Sequence, residues 1–190
     1  MSENLEHLID EMPSDRFIDV VSSAILDMYE ADHLCSCLDI TELEEEIGVS
    51  VDKDLFLFAA VSRTIQFTHS TGLEALIYTP YLDQLLTHLD YLGITEFVGP
   101  VKLLLDNTSS EERKDPYKNI SEQKNKSLKE MLEKEEDDFY ENTETIDRKL
   151  IKFVLEHKSK FIELIPIIIS SSYYQRYKNP PEDDDPNCEL

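Results

Sequence analysis

The chain reads as a single all-α domain, and three observations carry that reading. Four glycines in 190 residues are too few for the tight turns of an all-β protein. Apolar residues recur at helical rather than alternating spacing. Cap residues, Gly and Pro punctuate these stretches where helices start and stop. At 41% apolar residues, a chain of this length can bury a substantial core. The expected architecture is a compact helical domain of about seven helices over residues 1–178, with a mobile insert at 107–127 and a disordered acidic tail at 179–190.

Residues 1–13 form an acidic lead-in whose Leu5, Leu8 and Ile9 dock one turn of helix. Ser14 is the expected N-cap of the next helix, with Asp15 favourably placed in its first turn. Phe17, Val20, Val21, Ala24, Ile25 and Met28 then share a face, to about Ala31. Asp39 to Gly48 reads as a short acidic helix in which Thr41 and Glu44 have capping-box spacing. Leu43 and Ile47 are its inward stripe, while Glu42, Glu45 and Glu46 share an outer face.

The least charged block is Leu55–Asp106, whose bases are Arg63 and Lys102. Asp52 is the expected cap of its first helix, and Leu55, Phe56, Phe58, Ala59 and Ile65 give that helix a broad apolar face. Thr68 to Gly72 reads as a polar turn. Thr79-Pro80 is a helix start, continued by Leu82, Leu85, Leu86 and Leu89, with Gly93 at the left-handed C-terminal position. Thr95 opens the next helix, with Phe97, Val98, Val101, Leu104 and Leu105 inward.

Asn107 to Ser127 is polar and nearly free of large aliphatic residues, hence the expected insert. A helical pattern returns over Leu128–Tyr140, with Glu135 to Asp138 exposed, and again through Ile146, Leu150, Ile151, Val154 and Leu155. In Ile162–Ile169, Pro166 must kink or restart the segment, read here as helix rather than strand.

Several chemistries find no support. A Gly-rich phosphate loop, a Gly-x-Ser-x-Gly elbow and a His-Glu-x-x-His pair are all missing. His33-x-Cys35-x-Cys37 lacks the usual two-residue gap between thiolates and a second half, so no metal is expected. Paired carboxylates are plentiful, but no pair stands out as an acid–base couple. His69, Ser70 and Gly72 mark the polar turn as a minor candidate site, with a Ser-His nucleophile the reading to test there. An enzyme is not expected, and no cofactor is implied. No apolar run approaches the ~20 residues that span a bilayer. Three cysteines and the acidic N-terminus fit a cytoplasmic protein rather than a disulfide-stapled or secreted one.

The net charge of −23 is the extreme property, and residues 1–60 supply −14 of it from 16 acids and 2 bases. Such a field repels nucleic acid and anionic membranes and draws in basic partners. The expected partner-binding face comprises Asp27, Glu30, Asp32, Asp39, Glu42, Glu45 and Glu46.

Three local patterns give the chain a family resemblance. Gln66-Phe67-Thr68-His69-Ser70-Thr71-Gly72 is a polar stretch following an apolar helix. Tyr81 to Asp106 contains Leu-x-x-Leu-Gly-Ile followed at once by another helix. Asp137-Asp138-Phe139-Tyr140 precedes Leu150 to Phe161, with Glu156-His157 before Phe161. Together these resemble the C-terminal domain of the family named after a bacterial DNA mimic protein, over roughly residues 52–162. The chain departs from that pattern at Ser62, Arg63 and Thr64, where family members carry a Gly-Gly pair. The resemblance implies a small all-helical acidic protein, often a homodimer, that presents carboxylates to a DNA-binding protein in place of phosphates. Glu42 to Glu46 places four carboxylates over ~6 Å of helix, comparable to the three or four charges that duplex DNA carries over ~6 Å. The expected partner is therefore a basic DNA-binding protein. The alternative is a basic toxin, with this chain as its immunity protein.

Overall fold

The computed structural model describes residues 4–29, 40–79 and 81–179. Every regular element among them is helical. In chain order they are α1 (Leu5–Glu11), α2 (Ser14–Met28), α3 (Ile40–Ile47) and α4 (Lys53–Thr71), then a 3₁₀ segment (Leu73–Tyr78), α5 (Leu82–Tyr91) and α6 (Val98–Asn107). Next come α7 (Ser110–Lys114), α8 (Pro116–Asn119), α9 (Glu122–Leu132), α10 (Glu136–Glu156) and α11 (Lys158–Phe161). A second 3₁₀ segment (Ile162–Leu164), α12 (Ile165–Ser170) and α13 (Ser172–Lys178) complete the fold. The all-α expectation holds. Helices outnumber the expected seven because several are only one or two turns long, too short for an apolar period to register.

The centre of the molecule is α4. Asp54 to Ser62 are all buried, so the helix is enclosed on every side rather than apolar on one broad face. It starts where Asp52 was expected to cap: that carboxylate accepts from the Asp54 amide at 2.9 Å and the Leu55 amide at 3.3 Å. α2 packs along α4, and α10 flanks them both. Phe58 meets Phe161 edge-on at 5.2 Å, and Phe97 meets Phe139 at 5.2 Å. These rings, all fully buried, join the N- and C-terminal halves into one core. Each ring pair adds roughly 1 kcal/mol beyond its area burial.

Several sequence expectations are corrected. Pro13 occupies the N-cap of α2, and Ser14 is its first helical residue. Glu44 does not serve a capping box with Thr41. Its Oε1 accepts from the Val51 amide at 2.7 Å and the Ser50 hydroxyl at 3.0 Å, fastening the turn after α3. Thr68 to Thr71 are not a turn but the last turn of α4. Their hydroxyls bond carbonyls of the preceding turn: Thr68 to Thr64, and both Ser70 and Thr71 to Phe67. The helix thus continues to Gly72, whose φ of 89° and ψ of 162° lie in a region open essentially only to glycine.

Further along, α5 begins at Leu82, and Tyr81 holds a left-handed φ of 68°. α6 begins at Val98 rather than at Thr95. The patterns at 128–140 and 146–155 divide differently: α9 stops at Leu132, and a single 21-residue α10 follows. Phe139, Ile146, Leu150, Phe153 and Val154 keep one buried stripe through the polar Thr143–Thr145 interval, which is why no break falls there. Pro166 takes an early position in α12, where a missing amide is harmless.

Residues 107–127, expected as an insert, are largely helical. Ser109 and Glu112 form a true capping box at the start of α7, and Pro116 and Ile120 are buried. Arg113 reaches Asp83 at 3.0 Å, and Asn125 donates to the Tyr78 hydroxyl at 2.7 Å. These contacts tie the segment to the 3₁₀ segment and α5. Residues 180–190 of the expected tail lie outside the described residues.

Candidate functional site

The expected acidic face is only partly in view. Asp27 is exposed in the last turn of α2, and Glu45 is exposed on α3, which also carries Glu42 and Glu46. Glu30, Asp32 and Asp39 lie outside the described residues, as does the His33–Cys37 motif. A second acidic stretch stands at the start of α10, where Asp137, Asp138 and Glu141 are exposed. The sequence pattern marks Glu135 to Asp138 as exposed but assigns them no role.

The molecule also carries a cleft of about 1000 Å³ between α2, α4 and α10. The start of α2 supplies Asp15, Arg16 and Asp19, and the second half of α4 supplies Arg63, Gln66, Phe67, His69 and Ser70. α10 contributes Thr143, Glu144 and Asp147, while Tyr78 and Tyr117 close the far side. The two tyrosine rings stack at 4.5 Å with 17° between their planes. Phe67 is 57% exposed and Tyr117 is 78% exposed, so both present apolar surface to solvent. Large aromatics in this state are the informative kind of exposure.

Two of the three minor candidates, His69 and Ser70, line this cleft, and Gly72 ends the helix that carries them. The Ser70 hydroxyl donates to the Phe67 carbonyl at 2.9 Å, and the His69 ring stands 5.4 Å from that of Tyr140. Ser70 is thus engaged by backbone and makes no hydrogen bond to His69.

The charges in the cleft are unevenly compensated. Arg63 pairs with Asp19 at 3.3 Å, and Glu144 with Arg148 at 3.8 Å. Asp147 has no lysine or arginine partner among the described residues. Burial pushes its carboxyl up to about 6, and the Asp15 and Glu144 carboxylates push the same way against His69. A desolvated carboxylate beside like charges is what a binding or proton-handling site contains. The cleft residues come from five separate elements, so no local motif joins them in the sequence.

A further cluster is structural. The Asp54 carboxylate, 8% exposed, accepts from the Lys160 ammonium and the Tyr91 hydroxyl, each at 2.6 Å. Burial alone would raise Asp54, but these bonds outweigh it and hold the group below its usual range. Lys160 also reaches Asp52 at 2.9 Å, so the start of α4 is clamped to α11. Among the described residues no group of His, Cys, Asp and Glu has a metal-binding arrangement, and no helix is long and apolar enough to cross a membrane. Comparison with protein-family models, with curated proteins and with solved structures finds no match to the chain.

Proposed function

We propose that the protein is a non-enzymatic, acidic interaction protein that occupies the DNA-binding surface of a basic partner, setting carboxylates where DNA sets phosphates. The observation that carries this reading is the placement of its cations. Thirteen of the eighteen Lys and Arg side chains lie in ion pairs within the chain. With 41 acids against 18 bases the chain keeps a surplus of 23 carboxylates, and only Arg16, Lys53, Lys102, Lys134 and Arg176 are cations without an ion pair among the described residues. Asp27, Glu45, Asp137, Asp138 and Glu141 are exposed and make no ion pair among the described residues.

The spacing suits the role. Asp137, Asp138 and Glu141 fall within ~6 Å of helix rise, near the three or four charges of a duplex over the same ~6 Å. The resemblance of residues 52–162 to the DNA mimic family supports the same partner class.

The test is capture of a partner on the tagged full chain at low salt, followed by challenge with duplex DNA. The proposal expects a DNA-binding protein that duplex DNA displaces and that elutes as salt rises, since charge-driven contacts are screened. A partner held equally in the presence of excess DNA would contradict it. A captured nuclease toxin whose activity the chain abolishes would replace it with the immunity reading.

A further inference from the structure

We propose that the cleft between α2, α4 and α10 binds an organic cation, an ammonium or guanidinium group on a carbon stem, with the head group at Asp147 and Asp15 and the stem against Phe67 and Tyr117. A volume of about 1000 Å³ is at the upper end of what small-molecule sites enclose.

Charge then selects the class. The lining holds the carboxylates of Asp15, Asp19, Glu144 and Asp147 against the guanidinium groups of Arg16 and Arg63, a formal balance of −2 with His69 neutral. Pairing of Arg63 with Asp19 and of Arg148 with Glu144 takes up two of those carboxylates, which leaves Asp15 and Asp147 against the Arg16 guanidinium, a residual balance of −1. Asp147 is left part-buried without a lysine or arginine partner, and Asp15 stands close enough to raise its proton affinity. An anion entering here would meet this site and the −23 field of the whole chain. A cation removes the repulsion between Asp15 and Asp147 and restores a partner to a desolvated carboxylate.

The walls supply the rest. Phe67 and Tyr117 expose aromatic surface at the cleft, and the stacked Tyr78 ring backs Tyr117. Aromatic faces attract cations and pack against aliphatic stems. A neutral apolar ligand would leave the carboxylates unanswered, and a bare metal ion would leave the aromatics without a role. The site is separate from the outer carboxylates of α3 and of the start of α10, and occupancy by a small cation does not depend on the partner reading above.

Agmatine is the first probe, titrated into isotope-labelled full-length protein at ~150 mM salt, an ionic strength that screens diffuse attraction. The proposal expects saturable shifts at Phe67, His69, Tyr117 and Asp147. Asp147→Asn should weaken binding roughly tenfold, the loss of a charge-assisted hydrogen bond. Tyr117→Ala, at a highly exposed site where folding is not in question, should weaken it about threefold to fivefold. Asp106→Asn, at the exposed end of α6, should leave it unchanged. Two further arms separate the sources of the cation. Tighter binding of spermidine marks a free amine, and tighter binding of a short arginine-containing peptide amide marks a side chain on a protein. The proposal is overturned if none of these cations saturates, if Asp147→Asn and Tyr117→Ala both bind as the parent does, or if Asp106→Asn weakens binding as much as they do. It is also overturned if butylurea or adenosine monophosphate binds as well as agmatine.

Discussion

Two aspartates show how one residue type takes opposite roles. Asp54 is buried and compensated. Lys160 and Tyr91 hold it ionised, so its contribution to stability is present above its ordinary value of 3.8 and is lost as pH falls below it. Lys160→Met should leave that carboxylate stranded and destabilise the fold by roughly 2 kcal/mol, less than a fully buried pair because Lys160 is partly solvated. Denaturant unfolding checks this. Asp147 is half-buried and has no lysine or arginine partner among the described residues. Its folded-state value of about 6 lies above 3.8, so it favours folding at low pH, and that contribution fades as pH rises through about 6. Asp147→Asn should therefore raise the melting temperature above pH 7 and make little difference near pH 4. With solvent screening limiting the gain to about 1 kcal/mol, the expected rise is roughly 2–4 °C for a chain of this size.

At the scale of elements, two glycines with similar φ angles should respond differently to alanine. Gly93 has a φ of 70° and nothing within 4 Å of an added Cβ, so Gly93→Ala should cost only the backbone strain, about 1 kcal/mol. At Gly72 the φ is 89°, and a Cβ would lie 3.0 Å from the Glu136 Oε1 that accepts from the Leu73 amide. Gly72→Ala should therefore cost more, about 2–3 kcal/mol, and disturb the junction of α4 with α10. The capping box of α7 offers a local test. Lys124 and the Ser109 amide hold the Glu112 carboxyl down to about 2, so its contribution is lost as pH drops from 4.5 toward that value. Ser109→Ala should cost roughly 1 kcal/mol and speed amide exchange over residues 110–119. The same box shows what was legible. Ser109-x-x-Glu112 was readable in the sequence, but the low aliphatic content around it pointed to an insert. Gly48, Gly93 and the Asp52 cap were read correctly because each is a local conformational requirement. Glu44 was misread because its partners lie beyond the helix, at Ser50 and Val51, where no local rule looks.

At the scale of the molecule, the sequence conveyed the helical class, most core positions of α2, α4 and α10, and the charge surplus. It could not convey the cleft. Asp15, Arg63, Tyr78, Tyr117 and Asp147 meet only after packing has set five elements around a common space. His69 and Ser70 stand out in the sequence as a polar turn; the structure makes that stretch the last turn of α4 and sets both residues on the wall of the cleft. The surplus of carboxylates is a different kind of property, since it survives any arrangement of helices. Internal pairing of most cations leaves the net charge, and so the long-range field, unchanged; what it fixes is which carboxylates stay uncompensated, Asp137, Asp138 and Glu141 among them. The most direct measurement of the central claim is the affinity of the captured partner for the full chain as a function of salt. Carboxylates standing in for phosphates predict a steep fall, at least tenfold between ~50 and ~300 mM salt. The same steep fall should appear in the partner's affinity for its own DNA. An affinity that stays level across that range would contradict the account.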